Sequence, residues 1–412
     1  MSSEHAHLTL AACGLAAAAL VAAVAAVAPA ASAADRLVLL DGRTLEATVA
    51  SIDAKGRVRM ANGALAVDLE GLRRIDRPVQ PKDDAGQAPC EVFLLAGDAI
   101  QARDVVFDGS TFVVDASFGT GLSVPLAAVS AVRLGRRADG DFSEPPEFLA
   151  ARTGADTRRD QLFAVVDGRI QVVHGALQRI DPTEVGFIWD DAERRVARSK
   201  VYGVVLARTA AAPDVEGRCL VRLRDGSSFW MAVAGMAEGR LSGSLVDGLD
   251  VVVPWDAVVS LEVRSPRMAF LSDLDPVEAD QQALVTFAGR WQRDRNVLGE
   301  PLRLGDRTYG KGLGVHSRCR LEYDLGGRYD VFAATIGLDT SAAGRGDCIF
   351  KVHADGKELF SKRMTGKDDP VEVRLPVAGA TRLTLAVEWG EDLDLADLAD
   401  WCDARVLKEA PK

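Results

Sequence analysis

The chain has 412 residues, of which 48% are hydrophobic, and a formal net charge of −11 at pH 7. Its length exceeds that of one ordinary domain, so we expect several domains with substantial hydrophobic cores. The acidic balance and the lack of a dense run of Lys and Arg argue against nucleic acid and against an anionic membrane surface as partners. Six cysteines occur without the CxxC spacing that a typical zinc site uses.

An apolar segment rich in Ala, Val and Leu occupies 8–33. Pro29 interrupts it, and the small residues at 31–33 follow in the pattern of a signal-peptidase site. We therefore predict a signal peptide over 1–34. Two alternatives remain open. The segment is long enough to be an uncleaved membrane anchor, and the residues before Cys13 resemble a lipobox for lipidation. All three alternatives imply export, to the periplasm, the medium or the cell surface.

A short β pattern recurs four times after residue 34. Each copy has an apolar strand followed by a tight turn that contains Gly, and the copies lie at 37–43, 92–98, 162–168 and 221–227. Each copy also ends with a further apolar strand. This indicates four small β units, over 35–80, 90–136, 159–208 and 218–265. Irregular joints separate the units, and the second joint favours a short helix near Pro145.

The order of strands and turns in these units resembles that of small Sm-like or SH3-like barrels. Any stacked β architecture needs such repeats, whether or not it carries a site. We therefore interpret the units as a scaffold or a protein-interaction surface. Trp189, Trp230 and Trp255 are interpreted as core residues of these units rather than as sugar platforms.

The stretch 309–339 carries the clearest β pattern of the C-terminal third. It opens with three glycines, continues as an alternating strand to Leu325, and resumes after Gly326 and Gly327 as a second alternating strand. Alternation across a Gly-Gly joint predicts an antiparallel hairpin with one buried face. With the strands that follow, about eight in all, the region predicts a two-sheet jelly roll.

Three separated motifs in this region occur in the order found in one family. They are LSDL at 271–274, YGKGLGVH at 309–316 and ADWCDA at 399–404. Together they resemble the NPCBM family, a group of carbohydrate-binding modules found beside glycoside hydrolases and on secreted proteins. The resemblance implies a carbohydrate-binding β-sandwich over 269–408. The predicted fold class is thus all-β, with a jelly-roll sandwich preceded by four small barrel-like repeats.

Lectin-like modules stack an aromatic face on the sugar ring and bridge its hydroxyl groups with planar polar side chains. In the module that the resemblance defines, we predict that the carbohydrate contacts are Trp389, Asp400, Trp401, His316, Asp339 and Arg295. Structural roles are the alternative, because a strand tryptophan is usually core, a histidine bonds loop carbonyls and an aspartate closes Asx turns. Trp389 precedes Gly390 and an acidic loop, so it is the aromatic residue most expected at the surface.

Carboxylates are dense in the segment 391–403. Calcium prefers hard oxygen ligands, so Asp394, Asp397 and Asp403 are candidate ligands of a structural calcium ion. The spacing matches no EF-hand, and the alternative is a solvated acidic loop. The segment also departs from the family pattern, because Leu398 stands where family members have His in a D-H-A-D-W sequence. That departure puts any ligand contact of the family's His in doubt.

No GxSxG motif, P-loop or dinucleotide fingerprint occurs, so we expect no enzyme activity. The sequence predicts an exported, non-catalytic protein that binds a glycan through its C-terminal module. The alternative is a structural or protein-binding cell-surface component whose sandwich has lost sugar binding. A protein partner would use the repeats, and membrane contact requires an uncleaved or lipidated N-terminus. A disulfide among Cys319, Cys348 and Cys402 is left open.

Overall fold

The computed structural model describes residues 34–63, 67–79, 88–135, 144–154, 158–207, 213–246, 248–282 and 290–409. The chain divides into two units, Met1–Ala33 and Ala34–Lys412, and every described residue belongs to the second. The predicted signal peptide, and with it Cys13, therefore lies outside the described residues apart from Ala34. No helix among the described residues combines the length and the hydropathy needed to cross a membrane.

The part of the chain before the C-terminal module is built from 21 strands in one extended sheet. These strands are β1 (Asp35–Leu39), β2 (Thr44–Ala47), β3 (Val49–Ile52), β4 (Arg57–Met60), β5 (Val67–Asp68), β6 (Leu72–Asp76), β7 (Cys90–Leu94), β8 (Ala99–Phe107), β9 (Thr111–Ala116), β10 (Gly119–Pro125), β11 (Val129–Arg133), β12 (Asp160–Val166), β13 (Arg169–Ile180), β14 (Glu184–Trp189), β15 (Ala192–Ala197), β16 (Val201–Val205), β17 (Cys219–Leu223), β18 (Ser228–Ala237), β19 (Arg240–Leu245), β20 (Asp250–Pro254) and β21 (Val258–Val263). One α-helix, α1 (Pro146–Thr153), lies among the described residues at the joint where the sequence predicts it.

Each unit closes on itself in the same way. Its last strand returns to pair with its first, so that β6 pairs with β1, β11 with β7, β16 with β12 and β21 with β17. A single 3-10 turn precedes each closing strand, at Leu69–Gly71, Leu126–Ala128, Arg198–Lys200 and Trp255–Ala257. The fourfold recurrence seen in the sequence is thus a recurrence of one small closed β unit.

The glycine turns after the first strands share one hydrogen-bond pattern in three of the four units. In the first unit the Leu39 N–H donates to the Arg43 carbonyl (2.9 Å), and the Gly42 N–H donates back to the Leu39 carbonyl (3.0 Å). Gly42 has a φ of +94°, which a residue with a side chain rarely adopts. The third unit differs, since Asp167 and Gly168 both have positive φ in a two-residue hairpin turn.

The closing strands also join the units to one another. β6 pairs with β21, with Leu261 opposite Ile75, and β11 pairs with β16, with Val132 opposite Val204. β11 and β16 are buried along their whole length, and neither sequence alternates strictly between apolar and polar residues. Side chains from all four units form one continuous hydrophobic core.

The C-terminal module is a sandwich of two antiparallel sheets. Its strands are β22 (Met268–Phe270), β23 (Glu278–Gln281), β24 (Gln292–Arg293), β25 (Leu302–Leu304), β26 (Arg307–Tyr309), β27 (Gly312–His316), β28 (Cys319–Asp324), β29 (Val331–Leu338), β30 (Asp347–Ala354), β31 (Lys357–Thr365), β32 (Val371–Pro376), β33 (Arg382–Trp389) and β34 (Leu398–Leu407). The first sheet has the order β24-β27-β34-β29-β32, with β22 also paired to β34, and the second has the order β23-β28-β33-β30-β31.

The predicted hairpin across Gly326 and Gly327 is wrong. β28 pairs with β33 in the second sheet, whereas β29 pairs with β32 and β34 in the first. The two glycines, with φ of +56° and +68°, carry the chain from one sheet to the other. Both strands alternate because each has one face on the shared core, and alternation does not reveal which strand is the partner.

Trp401 lies at the centre of the sandwich core. Its side chain is 1% exposed, and its ring meets those of Phe350 and Phe332 edge-on at centroid distances of 5.0 and 6.3 Å. Trp401 is therefore not a sugar platform, which corrects its predicted role. The cysteines are also part of the core, since Cys319, Cys348 and Cys402 are buried free thiols and none of them forms a disulfide.

The first β unit contacts the sandwich through arginine side chains. Arg73 of β6 pairs with Asp403 of β34, with both guanidinium nitrogens on the carboxylate at 3.1 and 3.3 Å. Arg405 of β34 is buried and donates to the carbonyl oxygens of Leu40 and Asp41, at the turn after β1. Arg405 donates a third hydrogen bond to the carbonyl oxygen of Asp403, which lies on the same strand, β34.

We expect Trp401→Ala to lower the free energy of unfolding by about 3 to 5 kcal/mol, because it opens a cavity among packed aromatic rings. Chemical denaturation of the full chain measures the change. Trp389→Ala, at the rim of the same sandwich, is the control and should cost less than half as much. Equal losses for the two variants would contradict the core assignment of Trp401.

Candidate functional site

Trp389 lies at the end of β33, at one end of the sandwich, and is half-buried. Its indole is faced by the exposed Arg318, whose guanidinium carbon is 5.9 Å from the ring centroid. Arg318 is also 3.6 Å from the Glu388 carboxylate. An aromatic face, a guanidinium and a carboxylate are thus side by side at the surface.

A second polar cluster fixes the loop that follows Trp389. Arg363 of β31 donates to Asp347 (2.7 Å) and to Glu391 (2.7 Å), and the Glu391 N–H donates to the Asp347 carboxylate (2.9 Å). The Arg363 guanidinium holds the pKa of Asp347 below its usual value. Because Arg363 and Glu391 are exposed, the side of the cluster away from Asp347 is open to a ligand.

His316 and Asp397 lie behind this surface rather than on it. The His316 ring is 3% exposed, and its Nδ1 bonds the Ser317 carbonyl at 2.7 Å. The Ser317 hydroxyl donates to Asp397, which also accepts the Asp347 N–H at 2.8 Å. Burial raises the pKa of Asp397 to about 6. His316 contacts the serine carbonyl and not its hydroxyl, so these three neighbours do not form a nucleophile and base, and His316 is not placed to touch a sugar.

Asp339 and Asp400 form a buried carboxyl pair beneath the loop 294–304. Asp339 accepts the Ser341 N–H (2.9 Å), the Arg303 N–H (2.9 Å) and the Asn296 amide (3.2 Å). Its hydrogen bonds therefore lower its pKa despite its burial. Asp400 is fully buried beside it without a side-chain donor, and burial, reinforced by the Asp339 charge, raises the pKa of Asp400.

The carboxyl pair therefore has a structural role. A protonated Asp400 can donate to the ionised Asp339, whose other bonds hold the loop across the outer face of the sheet. A side chain on Gly314 would lie 2.4 Å from the Arg295 carbonyl, which shows how closely the loop approaches β27. The predicted sugar contacts of Asp339 and Asp400 are thus corrected to loop support.

Of the six predicted sugar contacts, only Trp389 and Arg295 reach the surface. Arg295 is exposed and donates to the Gly299 carbonyl of its own loop (3.2 Å). Sequence reasoning missed Arg318, Arg363, Glu388 and Glu391, which surround Trp389 or its loop. Arg363 lies on β31 and Glu388 on β33, whereas Arg318 and Glu391 lie outside these two strands. Their proximity comes from parts of the chain that are distant in sequence, and no local pattern signals it.

The three predicted calcium ligands are not brought together. Asp403 pairs with Arg73 of the first β unit, and Asp397 bonds Ser317, while Asp394 is buried in the loop before β34. Among the described residues, no group of three or more His, Cys, Asp or Glu side chains is arranged to hold a metal ion. The run of carboxylates in the sequence is divided because Asp394 and Asp397 lie in the loop before β34, whereas Asp403 lies within β34 and pairs with Arg73 of the first β unit.

The C-terminal module is thus a β-sandwich with an aromatic and polar rim, formed by Trp389, Arg318 and Glu388. A family model, that of the NPCBM/NEW2 domain, matches residues 267–407. This part of the chain is therefore an NPCBM/NEW2 domain. The predicted resemblance is confirmed.

One curated relative is "Putative endo-alpha-N-acetylgalactosaminidase" of Renibacterium salmoninarum, with 34% identity over 114 residues. The match covers 27% of this chain but only 8% of the relative's length. Among solved structures, a CBM51 module of Clostridium perfringens GH95 in complex with methyl-galactose is 29% identical, with 34% of this chain and 99% of that chain covered and a TM-score of 0.32. The CBM51-2 and INT domains of C. perfringens ZmpB with GlcNAc are 25% identical, with 42% and 39% covered and a TM-score of 0.33.

We expect Asp400→Asn to be tolerated and Asp339→Asn to be destabilising, although both change one carboxylate to an amide. An amide at 400 replaces a protonated carboxyl and still donates to Asp339, so the variant should lie within about 1 kcal/mol of the parent at pH 7. An amide at 339 loses the charge that the loop N–H groups bond, which should cost more than about 2 kcal/mol. Urea denaturation measures both.

The parent and Asp400→Asn should also differ in pH dependence. The native pKa of Asp400 is raised, so the folded state binds the proton more tightly than the unfolded state. Its stabilising contribution is complete below the unfolded pKa near 3.8 and is lost as pH rises through the native pKa. The parent should therefore lose stability relative to Asp400→Asn as pH rises from the unfolded value of 3.8 towards the raised native pKa, and a constant difference would contradict the protonated pair.

Proposed function

We propose that this chain is an exported, non-catalytic protein that binds a glycan at the rim of its C-terminal module. The observation that carries the proposal is Trp389, half-exposed beside Arg318 and Glu388 on an NPCBM/NEW2 domain. An indole packs on the C–H face of a sugar ring, while a guanidinium and a carboxylate bond adjacent hydroxyl groups. The exposed Arg363 and Glu391 extend the same polar surface along the neighbouring loop.

The four β units act in this proposal as a scaffold that carries the module. Their apolar side chains are used in one shared core, and the junction at Arg73 and Arg405 gives the module a fixed orientation on the first unit. Their surface is also where a protein partner would bind. The absence of a nucleophile or dinucleotide motif in the sequence supports the assignment as non-catalytic.

We expect Trp389→Ala to weaken glycan binding at least about tenfold, since removal of a stacked ring costs on the order of 1.4 kcal/mol or more. A glycan array with the full chain identifies a ligand, and calorimetry with that ligand measures the change. Trp189→Ala is the matched control, because Trp189 is also half-buried and faces an arginine, Arg194, at 4.8 Å in the third unit. It should leave binding unchanged.

Two results would contradict a sugar site at this rim. One is a full-length protein that binds no glycan on a broad array. The other is glycan binding that Trp389→Ala and Arg318→Gln leave intact while the variants unfold at the parent's denaturant midpoint.

A structural or protein-binding role is the second candidate, and Leu398 favours it. This leucine is buried with Val297 and Ala342 in a small apolar cluster, at the position where the family pattern has His. An apolar side chain packed in a core thus stands where the family pattern has a polar one, which puts any ligand contact at this position in doubt. In that case a partner captured by the full chain should be retained when free sugar is added, whereas a glycoprotein bound through its glycan should be released.

Export makes a separate prediction about the N-terminus. β1 begins at Asp35, directly after the predicted leader, and the Asp35 carboxylate is buried against Arg77. We expect the mature protein recovered from the periplasm or medium to begin near Asp35, as N-terminal sequencing or intact mass would measure. A cytoplasmic product that keeps 1–33 would contradict export.

A further inference from the structure

A cleft of about 720 Å³ lies between the first β unit and the outer face of the sandwich, away from Trp389. One wall is formed by β1, the turn after it and β6, and the other by β26, β29, β32 and β34. Its volume falls within the range of roughly 300 to 1,000 Å³ that is usual for small-molecule sites.

The lining of this cleft has the opposite charge to the chain. Seven arginines and four carboxylates line it, whereas the whole chain has a formal charge of −11. The arginines are Arg36, Arg43, Arg73, Arg74, Arg307, Arg374 and Arg405. A positive cleft between low-dielectric walls concentrates anions even when the rest of the surface repels them.

Most of the lining carboxylates are already paired. Asp41 bonds Arg43 at 2.7 Å, Asp403 bonds Arg73 at 3.1 Å, and Glu262 bonds Arg222 at 3.1 Å. In the part of the chain that the structure describes, no carboxylate lies within 4.0 Å of the guanidinium of Arg36, Arg307 or Arg405. The cleft thus keeps cationic groups that its own acids do not neutralise.

The floor of the cleft has room between two of its arginines. Ala333 of β29 is opposite Arg374 on one neighbouring strand and opposite Arg405 on the other. A small residue flanked by two long cations leaves a depression with a guanidinium on each side. Arg405 is 8% exposed and held by three carbonyl oxygens, so its charge is fixed beneath this depression. Burial lowers the pKa of Arg405. The positive charges of Arg73 and Arg374 lower this pKa further, and the negative charge of Asp403 raises it.

We propose that this cleft binds a small ligand with two or more oxyanion groups, carboxylate, sulfate or phosphate. The exposed Arg36 and Arg307 stand on opposite walls and contact the ligand directly, each with a fork of N–H donors that matches an oxyanion. Arg405 supplies a fixed positive charge below it. The hydroxyl groups of Thr44, Thr308 and Thr335 also line the cleft and suit the polar remainder of such a ligand.

Calorimetry on the full chain tests the proposal with four probes: trigalacturonate, a sulfated disaccharide, inorganic phosphate and neutral galactotriose. At least one anionic probe should bind, and galactotriose should not compete for it. Binding should weaken as ionic strength rises from about 0.01 to about 0.1 M, since the screening length falls from about 30 to about 10 Å. The probe that binds identifies the source of the oxyanions.

The double variant Arg36→Gln/Arg307→Gln should weaken that binding by about tenfold or more, as expected for the loss of two charge-assisted contacts. The control, Arg240→Gln/Arg290→Gln, removes the same charge from exposed positions outside the cleft and should bind like the parent. Trp389→Ala should also bind the anion normally, so failure at the glycan rim is separable from failure here. The proposal is overturned if no anionic probe binds, or if both double variants weaken binding equally.

Discussion

The contact between Arg405 and the turn after β1 determines how the two parts of this chain are arranged. A buried guanidinium is costly unless all its surroundings are polar, and here its partners are carbonyl oxygens from two distant parts of the sequence. If the first unit moved away, Arg405 would lose two of its three bonds. Arg73 and Asp403 close the same junction from the side, and Leu40 packs on Val331 and Leu407 beside it. The junction therefore combines apolar burial with charged groups that keep their bonds only in one orientation.

Buried carboxylates perform a related task within the sandwich. Asp339, Asp347 and Asp397 each accept a backbone N–H group: Asp339 from Arg303 of β25, Asp347 from Glu391 in the loop before β34, and Asp397, in that same loop, from Asp347 of β30. Each carboxylate thus ties a loop to a strand and satisfies a donor that burial would otherwise leave unpaired. The acids that the family resemblance suggests as ligand contacts are thus largely used to hold the loops. In the function that we propose, ligand recognition is left to the rim, where Trp389, Arg318 and Arg363 keep an exposed side.

The sequence was sufficient for the all-β class, the helix near Pro145 and the identity of the C-terminal module, because each depends on local alternation, turn residues or ordered motifs. Pairing was harder. Alternation indicates that β28 and β29 each have a buried face, but it carries no information about their partners in different sheets. The two tryptophans show a similar limit. Trp401 and Trp389 have comparable chemistry, and only the packing of Phe332 and Phe350 around Trp401 assigns it to the core.

The distribution of charge along the sequence explains why the arginine-lined cleft could not be predicted from the sequence. The chain has no dense basic run, and its arginines lie on strands up to several hundred residues apart. Each of the strands β1, β6, β32 and β34 contributes only one or two of the lining arginines, too few to form a basic run in the sequence. Only the docking of the first unit on the sandwich brings these arginines to the lining of one cleft. An argument from net charge excludes extended polyanions, which need a broad basic surface, but it does not exclude a small anion that enters one cleft.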